Sequence, residues 1–252
     1  MIESEDLVSI ITPAHNAARY IEDTIRSVRA QSYPHWEMLI TDDASTDDTV
    51  EMIHRYQQMD ERIHCFPLLC CVGAANARNN SLEHAHGKYV AFLDSDDMWS
   101  PDKLERQIAF MKEGGYAFTF TNYVAVDETG KRIVHTLHMP AMLTYRSYLR
   151  NTAIGCLTVM IDRSQIGDVD MPDIRSSHDM ALWLAILKRG FKAYSLREVL
   201  ASYRLVPNSN TAGKWRAARD VWRVYRNIEH LNPLYSAYNF CGYALHAVLK
   251  RL

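Results

Sequence analysis

The sequence has no glycine-rich phosphate loop. No G-x-G-x-x-G follows the first strand-like run and no Walker pattern occurs in the 252 residues, so neither a dinucleotide site nor a P-loop is supported. No stretch reaches the ~20 apolar residues that a membrane span needs. The five cysteines (Cys65, Cys70, Cys71, Cys156 and Cys241) form no paired framework and no zinc-type spacing. Odd in number and scattered, they read as reduced thiols of a cytosolic protein. Neither a repeat nor a low-complexity tract is visible, and the acidic start MIESEDLVSI predicts no signal peptide. What is present is an ordinary globular composition, 48% hydrophobic and 23% charged, long enough to bury a substantial core.

The net charge of −2 conceals an asymmetry. Residues 188–252 hold 12 Lys/Arg against 3 Asp/Glu, whereas residues 1–187 hold 16 against 27. A basic tail on an acidic body points to an anionic contact for the tail, either a membrane surface or a phosphorylated ligand. A solvated helix face is the plainer alternative. Nucleic acid is disfavoured, because the acidic body would be repelled by it.

The chain is organised around YVAFLDSDDMW, residues 89–99. Five apolar residues with strand character end in three carboxylates, Asp94, Asp96 and Asp97. In open α/β sheets ligands bind beyond the carboxyl ends of strands. Clustered acids there suit Mg²⁺ or Mn²⁺ shared with a diphosphate, or else form a polar turn capping the next helix. Strand-like runs at 7–12, 36–41 and 63–66 precede this stretch and alternate with helical patterns. That alternation predicts an α/β fold with a mainly parallel sheet and right-handed crossovers. Further strands are expected at 117–126, 132–134, 157–161 and 200–203, and a helix at 179–189. Two amphipathic helices, 214–229 and 238–252, are expected at the end of the chain, with a break at Asn232-Pro233.

Three segments carry a resemblance: VSIITPAHNAARYIEDTIRSVRAQSYPHWEMLITDDASTDDT, GAANARNNSLEHAHGKYVAFLDSDDMWSPDKLERQ and SSHDMALWLAILKRG. Together they resemble a family 2 glycosyltransferase of the GT-A-type fold, in register from residue 7 to about 205. The resemblance implies a catalytic domain over residues 1–205, with a lid loop and basic helices over 206–252. It implies inverting transfer of a sugar from a nucleotide diphosphate donor, UDP-linked by preference, to a saccharide or lipid-linked saccharide in surface polysaccharide synthesis. Pro13, His15 and Asn16 would line the nucleotide pocket, and Asp43 would accept the N3–H of the base. Arg78 would lie near the base or phosphates, Asp96 would reach the ribose, Asp97 would hold Mn²⁺ or Mg²⁺, and Asp179 would be the catalytic base. The rival function is a non-catalytic sugar-nucleotide or glycan-binding subunit on the same fold.

Weaker features complete the expectations. Arg204, Ser209 and Lys214 would close over the diphosphate as part of a lid. His84 with His86, and His135 with His138, lack a third metal ligand and read as surface residues. Trp99 and Trp183 are either walls of the acceptor pocket or core. Aromatic residues Trp215, Trp222, Tyr225, Phe240 and Tyr243, interleaved with arginines, suggest contact with the inner leaflet of the membrane. Packing on the protein itself or in a homo-oligomer is the other reading.

Overall fold

The computed structural model describes residues 6–133, 139–206 and 214–249, with residues 214–216 and 247–249 described by backbone alone. Four parallel strands form one half of a mixed sheet: β1 (Val8–Ala14), β2 (Trp36–Asp42), β3 (Ile63–Pro67) and β4 (Tyr89–Phe92). The other half holds β5 (Met98–Trp99), β6 (Phe118–Val126), β7 (Met142–Leu143), β8 (Met160–Asp162) and β9 (Ala193–Arg204). The order is β3-β2-β1-β4-β8-β6-β9-β5, with β7 also on β9. β8 runs antiparallel to both β4 and β6, so the parallel run ends at β4. The mainly parallel sheet expected from the sequence is therefore present with a mixed second half.

Strand periodicity divides the core into two layers. Ile11, Val90 and Phe92 enter one cluster, which also contains Phe118, Phe120 and Trp183. Their neighbours Ile10, Ala91 and Leu93 enter the other, with Ile21, Ile25 and Val28 from helix α1 (Ile21–Arg29). The crossovers after β2 and β3 are α2 (Thr49–Met59) and α3 (Ala74–Glu83). Helix α4 (Lys103–Gly114) follows β5 and stops at Gly115, whose φ of 61° suits a residue without a Cβ. The short helices α5 (Tyr145–Arg150) and α6 (Arg163–Ile166) follow β7 and β8.

Helix α7 (His178–Lys188) is apolar on nearly every side, because it is covered on more than one face. Trp183 is fully buried against Phe92 and Phe118, so it belongs to the core and not to an acceptor wall. Val221 of helix α8 (Lys214–Arg223) joins the same cluster, with Val224 and Tyr225 of the π-helical turn Val224–Ile228. The last helix, α9 (Pro233–Leu249), starts at its proline, where a missing N–H costs nothing. Tyr225 is wholly buried and its hydroxyl donates to the Leu149 carbonyl, which removes it from the surface set expected to meet a membrane.

Lys103 is the least expected core residue. It is fully buried, with Nζ 2.7 Å from Gln107 Oε1 and 4.1 Å from the ring centre of Trp99. Trp99 is itself anchored, donating through Nε1 to the Leu157 carbonyl at 2.8 Å. Burial pushes the lysine down to about 7 from its ordinary 10.5. In the unfolded chain the amine stays charged to about 10.5, so between those values only the unfolded state holds the proton. Stability of the native protein therefore rises with pH through that window. Below it, burying the charge costs on the order of 4 kcal/mol, against ~1–3 kcal/mol for leaving Gln107 unpaired after truncation. Lys103→Met is expected to raise the urea midpoint at pH 7, with the gain shrinking towards pH 10. An equal gain at both pH values would contradict this origin of the cost.

Candidate active site

Three loops meet at the carboxyl ends of β1, β2 and β4. After β1, His15 Nδ1 donates to the Asp43 carbonyl (2.7 Å) and Asn16 Nδ2 donates to His15 Nε2 (3.2 Å). Asn16 also receives the Thr46 N–H on Oδ1 at 2.8 Å, from a left-handed backbone with φ of 49°. Pro13 lies one residue inside the end of β1, paired in register with Thr41. The imidazole is thus held against the turn that follows β2.

That turn presents Asp43, a buried residue whose carboxylate is well supplied with donors. Oδ1 accepts from Val72 N–H (2.6 Å), and Oδ2 from Gly73 N–H (2.9 Å) and the Cys71 thiol (3.1 Å). The side chain therefore fixes the entry to α3. A carboxylate offers about four acceptor positions, so one remains for a ligand.

Arg78 projects from α3 and ties the third loop to α7. It is 5% exposed, pairs through Nη2 with Asp94, and donates through Nη1 to His178 Nε2 at 2.7 Å. Burial opposes its charge, but Asp94, followed by Cys156 and Asp179, more than restores it. His178 accepts as a neutral imidazole, its pKa held below the usual value by burial and by the arginine. Asp179 follows it in the first turn of α7, half-buried. One guanidinium thus brings Asp94, at the end of the central strand, and the catalytic candidate Asp179 to a common centre.

The two remaining acids of the triplet are not equivalent. Asp97 is 0% exposed; its Oδ1 accepts the Arg204 backbone N–H at 2.8 Å, and its Oδ2 has no hydrogen-bond partner. Burial, followed by the charges of Asp94 and Asp96, pushes its pKa well above the usual range. Asp96 is half-buried and pushed up to about 6 by burial and by Asp94. The sequence-predicted metal ligand Asp97 is thus walled in, and the predicted ribose ligand Asp96 is the accessible neighbour. Hard oxygen donors whose ionisation is suppressed by burial and then by one another are what a divalent cation relieves, so the acidic turn fits such an ion.

The family-model comparison decides what this centre belongs to: residues 9–165 match the model described as "Glycosyl transferase family 2". The chain belongs to that family. The Bacillus subtilis (strain 168) glycosyltransferase TuaG, named for teichuronic acid biosynthesis, is 53% identical over 252 residues, all of both chains. An Escherichia coli enzyme, UDP-Glc:alpha-D-GlcNAc-diphosphoundecaprenol beta-1,3-glucosyltransferase WfgD, is 36% identical over 245 residues, covering 97% of this chain and 94% of its own. Among solved structures, S. aureus TarS 1–349 in complex with UDP superposes with a TM-score of 0.71 at 20% identity, over 96% of this chain and 70% of that one. The mannosyltransferase PcManGT from Pyrobaculum calidifontis, in complex with GDP-Man and Mn2+, gives 0.70 at 19% identity over the same shares. These likenesses establish the GT-A-type fold, and the family establishes a glycosyltransferase.

Within this family 2 glycosyltransferase, several sequence expectations change. Arg204 is no free lid residue. It is 2% exposed and donates to the Asp96 carbonyl (2.9 Å), the Glu128 carbonyl (2.6 Å) and Asp23 (2.9 Å), under the ring of Tyr20. It shapes the acidic turn from behind. Ser209 and the Lys214 side chain lie outside the described residues, as do His135 and His138. His84 stacks on Phe66 and His86 approaches Glu37, so the two make no metal pair. From sequence His178 reads as a tuner of the acceptor side or as a polar helix-start residue; its contact with Arg78, 100 residues away, has no sequence signal.

Proposed function

We propose that this glycosyltransferase moves a hexose from a UDP-linked donor to a hydroxyl of a lipid-diphosphate-linked saccharide, with inversion, in synthesis of a surface polysaccharide. The observation that carries the reading is the Arg78 junction, which sets the acidic turn of β4 beside Asp179. UDP as donor nucleotide is supported by the TarS complexes with UDP and UDP-GlcNAc. A diphosphate-lipid acceptor is supported by WfgD and a second Escherichia coli relative, WfaP, both named for GlcNAc-diphosphoundecaprenol. The base sits against Pro13, His15 and Asn16, and Asp43 takes its N3–H with the acceptor position its backbone donors leave open. Such pairing rejects bases that lack the donor.

Asp96, the accessible neighbour of Asp97, would hold Mn²⁺ or Mg²⁺, and Asp94 would be left to meet the ribose. A bound divalent cation supplies Lewis-acid stabilisation of the departing diphosphate. Asp179 accepts the proton of the attacking hydroxyl as the new C–O bond forms and the bond to the UDP oxygen breaks. One base and one displacement give inversion. Arg78 pairs with Asp94 and, through His178, fixes the first turn of α7 that carries the base. Residues 1–205 form the catalytic part and 206–252 a lid loop with basic helices in this reading. None of the described helices is long and apolar enough to cross a membrane. The enzyme works from the inner membrane face as a peripheral protein. Incubation with UDP-glucose or UDP-GlcNAc and a GlcNAc-diphospholipid, read by NMR of the product anomer, tests the reading. An inverted linkage is expected; a retained one, or no transfer with any UDP-sugar, would overturn it.

A further inference from the structure

Helix α9 carries no Asp, Glu, Lys or Arg between Pro233 and Leu249. One side is firmly seated. Ser236 and Asn239 are wholly buried, and Tyr235, Phe240 and Tyr243 pack against the core. A Cβ on Gly242 would come within 3.0 Å of Arg150 Cβ and Cγ, so the glycine sets the close approach of α9 to α5. The other side is bare. Leu234 is 85% exposed, Tyr238 59% and Leu245 59%, with Ala237, Cys241 and Ala244 exposed between them. Spacings of three and four residues place these side chains on one stripe of the helix. On a helix facing water that stripe is normally charged or polar. Here the outward stripe is apolar, which marks a contact surface.

Beside the stripe lies a basic recess. Arg146, Arg150, Tyr235 and Tyr238 line an open cavity of about 380 Å³. Arg150 Nη1 donates to the Tyr238 hydroxyl at 3.1 Å, which orients both groups at its edge. Neither arginine makes an ion pair with a carboxylate among the described residues. The acid preceding α9, Glu229, is buried and occupied by the Tyr145 hydroxyl and Lys188 Nζ. The recess is therefore a place for an external anion next to an apolar strip.

We infer that this face docks the enzyme onto an anionic phospholipid bilayer. Leu234, Tyr238 and Leu245 enter the headgroup–acyl boundary, and Arg146 and Arg150 hold a lipid phosphate. A helix seated on the core by one side and bare on the other suits lying in the plane of the interface, and none of the described helices is long and apolar enough to cross a membrane. Charge selects the bilayer over a second copy: two such faces brought together would set their arginines against one another with no acid to answer them. The docking surface differs from the one expected from sequence. Tyr225 is in the core, Trp222 is packed edge-on to Phe240 at 5.7 Å, and the Trp215 side chain lies outside the described residues. The inference leans on the proposed function only in that a lipid-borne acceptor gives docking a purpose.

The test is flotation of the full chain with vesicles of phosphatidylglycerol and phosphatidylcholine, and of phosphatidylcholine alone. Wild type is expected to float with the anionic vesicles, and Leu234→Ser/Leu245→Ser and Arg146→Gln/Arg150→Gln each to lose at least tenfold in bound fraction. Transfer to a short-chain, water-soluble diphosphate acceptor is expected to stay within twofold of wild type in both. That assay separates the docking surface from the reaction itself, since failure there for wild type would fault the proposed function alone. No binding by wild type, or equal binding by the variants, would overturn the inference. So would a wild-type dimer in sedimentation that the leucine pair dissociates without any vesicle binding.

Discussion

Asp179→Asn is expected to reduce kcat by about 10²–10⁴-fold, with donor affinity within a few-fold of wild type. The amide keeps the size and the start of α7 but cannot accept the acceptor's proton. Asp179 is not among the residues proposed to hold the nucleotide, so donor binding is not expected to require its charge. If Asp179 served only the first turn of its helix, the variant would lose ~0.3–1 kcal/mol of stability and keep near-normal turnover. Steady-state kinetics combined with UDP titration separates the two. Normal turnover in the variant would remove Asp179 from the chemistry.

Arg204→Ala is expected to destabilise the fold by roughly 3–5 kcal/mol, a large share of the total for a domain. Its guanidinium bridges the Asp96 carbonyl, the Glu128 carbonyl and Asp23, and truncation leaves the two carbonyls without it. The same loss frees the turn that carries Asp96, so metal-dependent nucleotide binding should weaken with it. Arg204→Lys retains charge but cannot reach the same fork of acceptors, and is expected to recover less than half of the loss. Urea unfolding measures both. Unchanged stability with impaired catalysis would return Arg204 to the role of a phosphate-closing lid residue.

The two variants bracket what was legible in the sequence. Strands β1, β2 and β4 are readable because buried parallel strands are near-continuous apolar runs, and their observed ends differ by two residues or fewer. Strands β5 and β7, two residues each, have no period to read, and neither does α6. Helix α9 begins five residues before its expected start, since Asn232-Pro233 reads as a break when it is an opening. Which of two adjacent carboxylates faces outwards depends on the path of the loop after β4, so Asp96 and Asp97 were indistinguishable by spacing. Arg204 looked like a phosphate ligand because its partner Asp23 lies 181 residues away. Residue type was legible. Orientation was not.

Asp96, just beyond the end of the central parallel strand, is proposed to make the nucleotide site metal-dependent. The most direct test is calorimetric titration of UDP, with GDP and CMP as controls, with and without Mn²⁺, on wild type, Asp96→Asn and Asp97→Asn. UDP binding is expected to require Mn²⁺, to be lost in Asp96→Asn and to survive in folded Asp97→Asn. Mn²⁺-dependent binding retained in Asp96→Asn but lost in a folded Asp97→Asn would contradict it.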